Sequence, residues 1–283
     1  MERFSTSLLG EARTLLLATD GSHFSDGAAQ EAIFFGQACG AKVIALHVAK
    51  IDAESLKSAE SAVRMRRQEL APYMDHLRKM AKDSGVEIEI VVIGTSHPEK
   101  AIIEQANLRK ADVILMGRHG KAGRLSLLIG RMTSRVLDQG FPRVLVVPKD
   151  FICSGARVLL ATDNSPGALK AVDEAMSLGR RCATLQKITV MSVAKREADA
   201  AKMQLIAGAL CTRLQQIGPQ VVCEPLVQVG VPCELIVRAA RERETDMILI
   251  GGQGKRGIAR KLLGHVTRNV TGKAHCAVLV VNS

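Results

Sequence analysis

The segment Leu15-Leu-Leu-Ala-Thr-Asp-Gly-Ser22 recurs later in the chain as Val158-Leu-Leu-Ala-Thr-Asp-Asn-Ser165. In both copies a short apolar run ends at an aspartate. Such a run, bounded by turn-forming residues, is typical of a strand that is buried on both faces of a parallel sheet. The two copies therefore predict a duplicated fold, with a buried strand at the start of each half.

Other segments repeat in the same order: 42–50 corresponds to 187–195, and 143–147 corresponds to 277–281. Short β-branched runs alternate with helical patterns, which predicts βαβ units and a parallel sheet. For the first half we predict strands near 14–19, 42–48, 87–93, 112–116 and 143–147, and helices near 24–39, 54–83, 97–108 and 130–139. The predicted fold class is α/β, with two doubly wound domains at 1–150 and 151–283.

The bulk composition agrees with two α/β domains. The 283 residues are 47% apolar but only 2% aromatic, so aliphatic side chains must fill the cores. No apolar run approaches the roughly 18–20 residues of a membrane span, and residues 1–10 lack a signal-peptide pattern. We therefore expect no membrane association and a cytoplasmic location. The seven cysteines contain no C-x-x-C pair, which predicts reduced, mostly buried thiols.

The net charge of +11 is unevenly distributed. Residues 1–150 hold 21 basic and 18 acidic side chains (+3), whereas 151–283 hold 18 and 10 (+8). A basic chain can bind nucleic acid, an anionic membrane surface or a phosphorylated small molecule. Stacking aromatics are nearly absent, which disfavours nucleic acid.

A glycine pattern, G-x2-G-x9-G-x-x-T, follows the fourth predicted strand of each half. Its positions are Gly117, Gly120, Gly130 and Thr133, and then Gly251, Gly254, Gly264 and Thr267. A loop that leaves a parallel strand and enters a helix aims backbone N–H groups and the positive helix dipole at the crevice where α/β sheets bind ligands. The pattern predicts an anion site. The alternative is that these glycines only supply positive φ in turns.

Basic side chains surround the predicted loops. In the first half they are Lys121, Arg124 and Arg131; in the second they are Lys255, Arg256, Arg260, Lys261, His265 and Arg268. Much of the excess charge of the second half therefore falls on its anion loop.

Asp20 and Asp163 end the first strand of each half, beside the predicted crevice. An unpaired carboxylate there would repel phosphate, so it must accept from a ribose hydroxyl or help to hold a cation. The alternative is a helix N-cap, which aspartate also favours.

Together, the Ala-Thr-Asp-Gly-Ser turn and the glycine pattern resemble the universal stress protein family over essentially the whole chain, twice. The resemblance implies an adenine nucleotide alpha hydrolase-like fold with strand order 3-2-1-4-5 and ATP, with Mg²⁺, across the strand ends. In the first half it places adenine, ribose and phosphates on Thr19, Asp20, Val48, Gly117, Gly120, Gly130, Arg131, Met132 and Thr133. In the second half it places them on Thr162, Asp163, Val193, Gly251, Gly254, Gly264, His265, Val266 and Thr267.

The chain departs from that family at Arg131 and His265, where ATP-binding members usually have a small hydroxyl residue. Either side chain can pair with phosphate or fill the pocket, so an interaction module without nucleotide stays open as the alternative function. There is no P-loop sequence and no Ser/His/Asp arrangement. We therefore expect at most slow ATP hydrolysis. The partners implied are an adenine nucleotide, the second domain as an intramolecular pseudo-dimer, and optionally a homodimer.

The two halves differ in length. Asp20 to Asp163 is an offset of 143 and Gly117 to Gly251 one of 134, so the first half carries nine extra residues. Most of them belong to its second predicted helix, whose charged stretch 57–82 predicts a solvated face.

Overall fold

The structure is a computed structural model that describes residues 12–51, 56–119, 129–182, 184–217, 220–253 and 263–282. In the first half, strands and helices alternate from the start. The strands are β1 (Thr14–Ala18), β2 (Lys42–Lys50), β3 (Ile88–Thr95), β4 (Val113–Gly117) and β5 (Arg143–Val147). The helices are α1 (Asp26–Cys39), preceded by a 3-10 turn (His23–Ser25), α2 (Leu56–Asp83), α3 (Pro98–Leu108) and α4 (Arg131–Leu137).

The second half repeats this order. Its strands are β6 (Arg157–Ala161), β7 (Lys187–Ala194), β8 (Val222–Val229), β9 (Met247–Gly251) and β10 (Ala277–Val281). Its helices are α5 (Pro166–Arg181), α6 (Glu197–Ile217), α7 (Pro232–Glu242) and α8 (His265–Lys273). The predicted α/β class is confirmed, and each predicted element of the first half lies within a few residues of an observed one.

All ten strands form one sheet in the order β3-β2-β1-β4-β5-β10-β9-β6-β7-β8. Within each half the pairings are parallel, and the order is the predicted 3-2-1-4-5. The order reverses between the first and fourth strands of each half. This switch point opens a crevice at the carboxyl ends of the strands.

Each central strand sends alternate side chains into two different layers, as the period of a β-strand requires. Leu15 and Leu17 pack with α1 and α2, whereas Leu16 and Ala18 pack with α3 and α4. The second half is built the same way, with α5 and α6 on the first face and α7 and α8 on the other. Burial on both faces explains why the strands are continuous apolar runs.

The halves join through β5 and β10, which pair antiparallel with Val146 opposite Val278 and Val144 opposite Val280. This pairing removes two exposed sheet edges, since each strand covers the other's unpaired backbone groups. A second link is the ion pair between Arg143 in β5 and the buried Glu174 in α5, at 2.8 Å. The described helices contain none that is long and apolar enough to span a bilayer.

Helix α2 has 28 residues and its counterpart α6 has 21, so the difference of seven accounts for most of the nine extra residues. Helix α2 has the predicted solvated face, but it also has a buried face. Leu70 and Leu77 of α2 are buried in the core, and Arg66 reaches the carboxyl edge of the sheet. The helix is long because it covers one end of the crevice as well as the sheet.

Candidate functional site

The predicted site residues that the structure describes lie at the carboxyl ends of β1, β2 and β4 and where α4 begins, and at the equivalent places of β6, β7, β9 and α8 in the second half. Gly117 closes β4, and an added Cβ there would lie 2.7 Å from the Phe24 carbonyl oxygen in the turn that follows Asp20. Gly251 is equivalent, because its Cβ would lie 2.5 Å from the Gly167 carbonyl oxygen. These two glycines are therefore required by close backbone packing within the protein.

The two aspartates form turns, and the N-cap alternative is wrong. Asp20 Oδ1 accepts from the Ser22 amide at 3.0 Å, the Ser22 hydroxyl at 2.6 Å and the Ser25 hydroxyl at 2.9 Å. Asp163 Oδ1 accepts from the Ser165 amide at 3.0 Å. Helix α5 is capped by Ser165 instead, whose hydroxyl accepts from the Ala168 amide. Both carboxylates are half-buried and shape the loop that borders the crevice.

The residue immediately before Ser22 and before Ser165 also helps to form the turn. Gly21 has φ of 73° and Asn164 has φ of 58°, so both occupy the left-handed region. Glycine adopts it freely, and asparagine is among the few other residues that tolerate it. Asn164 in the second half therefore adopts the same left-handed backbone conformation as Gly21 in the first half.

The third glycine of each pattern has a different geometry from a turn glycine. Gly130 has φ −57° and ψ 146°, and Gly264 has φ −62° and ψ 147°, conformations that any residue can adopt. Each immediately precedes a helix, α4 or α8. The positive-φ alternative is therefore wrong for Gly130 and Gly264. Gly120 and Gly254 lie outside the described residues.

The threonine of each pattern is buried and bonded inside the protein. Thr133 Oγ1 donates to the Gly117 carbonyl at 2.9 Å, and Thr267 Oγ1 donates to the Gly251 carbonyl at 2.8 Å. These bonds tie helices α4 and α8 to the ends of β4 and β9. A hydroxyl has one hydrogen to donate, so a donation to phosphate at either position requires that bond to break.

The two residues between the third glycine and the threonine of each pattern differ in solvent exposure. Arg131, Met132 and His265 are exposed, and Val266 is half-buried. The side chains of Arg131 and His265 are therefore not packed into the protein interior. Asn269 donates its side-chain amide to the His265 carbonyl at 2.9 Å, one turn along α8.

Some of the predicted basic charge serves another purpose. Arg268 of the second half is bonded to Asp138 and Ser134 of the first half, so it lies at the domain junction and is not free for a phosphate. Lys121, Arg124, Lys255, Arg256, Arg260 and Lys261 lie outside the described residues.

A pocket of about 470 Å³ opens beside Asp20 between the end of β2 and helix α2. Of the predicted residues, Asp20 and Val48 line it. Sequence reasoning did not find the other lining residues, namely His47, Ala49, Lys50, Ile51, Ala62, Met65, Arg66 and Glu69. The only sequence feature that could have pointed to the lining residues in α2 was the extra length of this helix in the first half.

A series of hydrogen bonds links the polar residues that line this pocket. His47 Nδ1 lies 2.9 Å from the Thr19 carbonyl oxygen, which can only accept, so Nδ1 carries the hydrogen. Arg66 Nε then donates to His47 Nε2 at 3.1 Å, and Arg66 also pairs with Glu69 at 2.6 Å. Burial lowers the pKa of His47, and the neighbouring Arg66 charge lowers it further. His47 is therefore a neutral acceptor for Arg66.

Thr19 is also engaged by α2. Its hydroxyl donates to the Tyr73 hydroxyl at 3.0 Å and accepts from the Gly21 amide at 3.0 Å. Burial raises the pKa of Tyr73 to about 12. Leu70 lies over Gly21, where an added Cβ would be 2.2 Å from Leu70 Cδ2. Helix α2 thus covers the end of β1 closely.

The second half has a smaller residue at the place of His47. Ser192 Oγ donates to the Thr162 carbonyl at 2.9 Å, as His47 does to that of Thr19. Thr162 is buried, and its hydroxyl accepts from the Asn164 amide at 3.1 Å. Val193 is half-buried at the end of β7, like Val48 at the end of β2. Ser192 therefore places a hydroxymethyl group where the first half has the His47 imidazole.

Comparison with known proteins agrees with the duplication. The sequence profile of the universal stress protein family matches residues 11–148 and 156–282. Universal stress protein MJ0531 of Methanocaldococcus jannaschii is 31% identical over 141 residues, which cover 48% of this chain and 82% of that protein. Universal stress protein Rv1636 of Mycobacterium tuberculosis is 28% identical over 140 residues, 44% of this chain and 95% of that protein.

A solved structure shows the same arrangement over nearly the full length. The crystal structure of a universal stress protein from Archaeoglobus fulgidus DSM 4304 superposes with a TM-score of 0.76, over 96% of this chain and 99% of that one, at 18% identity. This likeness supports the fold, and the two profile matches establish the relationship by sequence. The chain therefore belongs to the universal stress protein family, with two copies of its domain in tandem.

Proposed function

We propose that this protein binds an adenine nucleotide, ATP with Mg²⁺, at the carboxyl edge of each five-stranded unit and hydrolyses it slowly or not at all. The domains are proposed to span 1–150 and 151–283. The observation that carries the proposal is the geometry of Gly130 and Gly264. Both adopt backbone angles open to any residue, both precede a helix at the switch point, and both are nevertheless glycine.

A missing side chain at such a position is explained if a ligand approaches the backbone there. The amides at a helix start and the helix dipole favour an anion, worth about 0.3–1 kcal/mol per charge when exposed. The exposed Arg131 lies at the first residue of α4 and His265 at the first residue of α8. A polyphosphate fits this combination better than a neutral ligand does.

The pocket in the first half supports a ligand of nucleotide size. Its volume of about 470 Å³ lies within the range of roughly 300–1,000 Å³ usual for small-molecule sites. Val48, Ala49 and Ile51 provide an apolar surface for a flat base, and Asp20 stands at the edge, where a ribose hydroxyl can donate to it.

The proposed Mg²⁺ would be bound mainly by the phosphates of the nucleotide. Among the described residues no three His, Cys, Asp or Glu side chains are grouped to hold a metal. Mg²⁺ keeps several waters and binds substrate phosphates with one or two protein ligands, so such a cage is not required.

The two sites are proposed to be unequal, with tighter binding in the second half. There Ser192 replaces His47, and Val266 replaces the bulkier Met132. In the first half, Arg66, Leu70 and Tyr73 of α2 pack against the end of β1 and narrow the space beside it. They do not close the first site, since the pocket beside Asp20 stays open. The alternative function is an interaction module of the same fold that binds no nucleotide.

Paired alanine substitutions test the proposal. Gly130→Ala and Gly264→Ala suit the local backbone, so the unfolding temperature should change little while ATP affinity, measured by calorimetry, falls about tenfold or more because a Cβ meets the phosphates. Gly251→Ala is the control that acts through packing, since its Cβ would meet the Gly167 carbonyl. It should destabilise the protein.

The outcome also ranks the two sites. If Gly264→Ala removes the tighter binding event and Gly130→Ala the weaker one, the proposed asymmetry holds; the reverse assignment contradicts it. Absence of ATP binding by the unsubstituted protein at millimolar ligand would favour the interaction module. Turnover of about 1–10³ s⁻¹, the usual range for enzymes, would contradict the proposed lack of catalysis.

A further inference from the structure

The start of helix α8, where the phosphates of the proposed second site would lie, is held from two sides. The Gly264 amide donates to the Gly252 carbonyl at 2.8 Å, within the second half. The amide of the preceding residue, Leu263, donates to Asp138 Oδ1 of the first half at 3.1 Å. A carboxylate of the first domain therefore contacts the backbone immediately before the third glycine of the second pattern.

The same carboxylate is also bonded to a side chain of α8. Arg268 Nη2 donates to Asp138 Oδ1 at 2.7 Å, and Arg268 also donates to the Ser134 hydroxyl. The side chains of Asp138 and Arg268 are exposed by 23% and 36%, so solvent screens this ion pair less than a fully exposed one. One oxygen thus accepts from the segment that enters α8 and from α8 itself.

The position of Asp138 is set by the first domain. Asp138 follows the last residue of α4, and its amide donates to the Ser134 carbonyl at 3.0 Å. The bond from the Thr133 hydroxyl to the Gly117 carbonyl ties α4 to the end of β4. The carboxylate is therefore mounted on an element that is fixed to the sheet of the first domain.

We propose that Asp138 is a positioning residue for the nucleotide site of the second domain, so that the first domain completes that site. This role rests on the proposed function. The amides in the first turn of a helix have no acceptor within the helix, and they can donate to an anion. Such groups must be held to within about 0.5 Å of their productive positions by supporting hydrogen bonds. Asp138 supplies this support through Leu263 and Arg268.

The arrangement serves one site only. The two glycine patterns are related by an offset of 134 residues, so the counterpart of Asp138 is Gly272 and that of Arg268 is Ser134. Glycine has no carboxylate, and the second domain therefore cannot anchor the start of α4 with the equivalent side chain. Loss of the Asp138 carboxylate should weaken the second site and spare the first.

Calorimetric titration with ATP tests the proposal in full-length variants that retain mainly one site. Gly130→Ala leaves the second site, and Gly264→Ala leaves the first. Asp138→Ala removes both bonds, whereas Asp138→Asn keeps an acceptor for the Leu263 amide and loses the charge that faces Arg268. In the Gly130→Ala background we expect Asp138→Ala to weaken ATP binding about tenfold, and Asp138→Asn to weaken it less. In the Gly264→Ala background both should change the affinity less than about twofold.

Glu174→Gln is the matched control for general loosening of the domain junction. It removes the charge from the other ion pair between the domains, which joins Glu174 in α5 to Arg143 in β5 at 2.8 Å. We expect it to lower the unfolding temperature but to leave ATP binding in the Gly130→Ala background unchanged. A loss of affinity equal to that of Asp138→Ala would overturn the proposal, because any weakening of the junction would then suffice.

Amide hydrogen exchange reports the positioning without nucleotide. In the nucleotide-free protein, the Leu263 amide should exchange at least about tenfold faster in Asp138→Ala than in the unsubstituted chain, since its acceptor is gone. An unchanged exchange rate overturns the proposal, as does an unchanged ATP affinity of the second site. A higher affinity also overturns it, because Asp138 would then only withhold Arg268 from phosphate. Absence of ATP binding by the unsubstituted protein is a separate result, which overturns the proposed function and this role with it.

Discussion

Arg268 Nη2 donates to Asp138 Oδ1 at 2.7 Å and thereby joins helix α8 of the second domain to the end of helix α4 of the first. The same carboxylate oxygen accepts from the Leu263 amide at 3.1 Å, immediately before the third glycine of the second pattern. Asp138 therefore anchors the start of α8 from the neighbouring domain. The segment that enters α8, where the second glycine pattern ends, is thus held in place by the other half.

Asp138→Asn should weaken this junction. The substitution keeps the shape and one acceptor but removes the charge that faces Arg268. Both side chains are partly exposed, so we expect a loss of about 1–2 kcal/mol in the free energy of unfolding, measured with urea. The matched control is Asp75→Asn, which removes a 2.6 Å pair with Arg78 on the exposed surface of α2. Equal effects of the two substitutions would show that the Asp138 contact is no more than a surface pair.

Glu31 should make stability depend on pH. It is buried in α1, and its Oε1 accepts from the Cys153 amide at 2.7 Å. Burial raises its pKa from 4.5 to about 8. Between these values the folded chain keeps a proton that the unfolded chain has lost. The free energy of unfolding should therefore fall as pH rises through this window, by up to about 1.4 kcal/mol per pH unit.

Glu31→Gln imitates the protonated acid and should flatten that decline. Urea unfolding at pH 5, 6, 7 and 8 measures the slope. Glu104→Gln, on the exposed side of α3, is the matched control and should retain the slope of the unsubstituted protein. A decline that persists unchanged in Glu31→Gln would assign it to other groups.

His47 should take up a proton at a lower pH than an ordinary histidine does. Burial lowers its pKa, so the folded chain binds fewer protons than the unfolded chain and stability should fall as pH drops below about 6.5. Protonation of Nε2 would also break the Arg66 hydrogen bond. Nitrogen-detected NMR of the imidazole should show the hydrogen on Nδ1 at pH 7 and a midpoint for protonation of His47 below its ordinary value of 6.5. A midpoint at or above 6.5 would contradict this geometry.

The threonines of the glycine patterns should act mainly through the fold. Thr133→Val removes the donor to the buried Gly117 carbonyl and should cost about 1–3 kcal/mol of stability. Thr133→Ser keeps the hydroxyl and should recover most of the loss. The same pair at Thr267 tests the second half. A variant that melts normally but loses ATP affinity would instead make the threonine a phosphate donor.

The secondary structure was predictable because it follows from local pattern, whereas the strand order was predicted from the resemblance to the universal stress protein family. The run at Leu15–Ala18 alternates its side chains between two buried layers, as expected for a strand in a sheet that is covered on both faces. The glycine spacing likewise predicted where a loop enters a helix. By contrast, the N-cap alternative for Asp20 and Asp163 was wrong, because Ser25 and Ser165 occupy the N-cap positions of α1 and α5.

By itself, the sequence determined the duplication, the α/β class and the edge of the sheet at which the candidate site lies, since these depend on repeats and on periodicity along the chain. Only the tertiary structure decided which side chains and strands contact each other between distant parts of the chain. Three contacts join residues on different elements: β5 pairs with β10, Arg66 bonds to His47, and Asp138 anchors Arg268. Residue propensities and motif spacing do not predict such contacts, because the contacts depend on how helices and strands pack against each other in three dimensions.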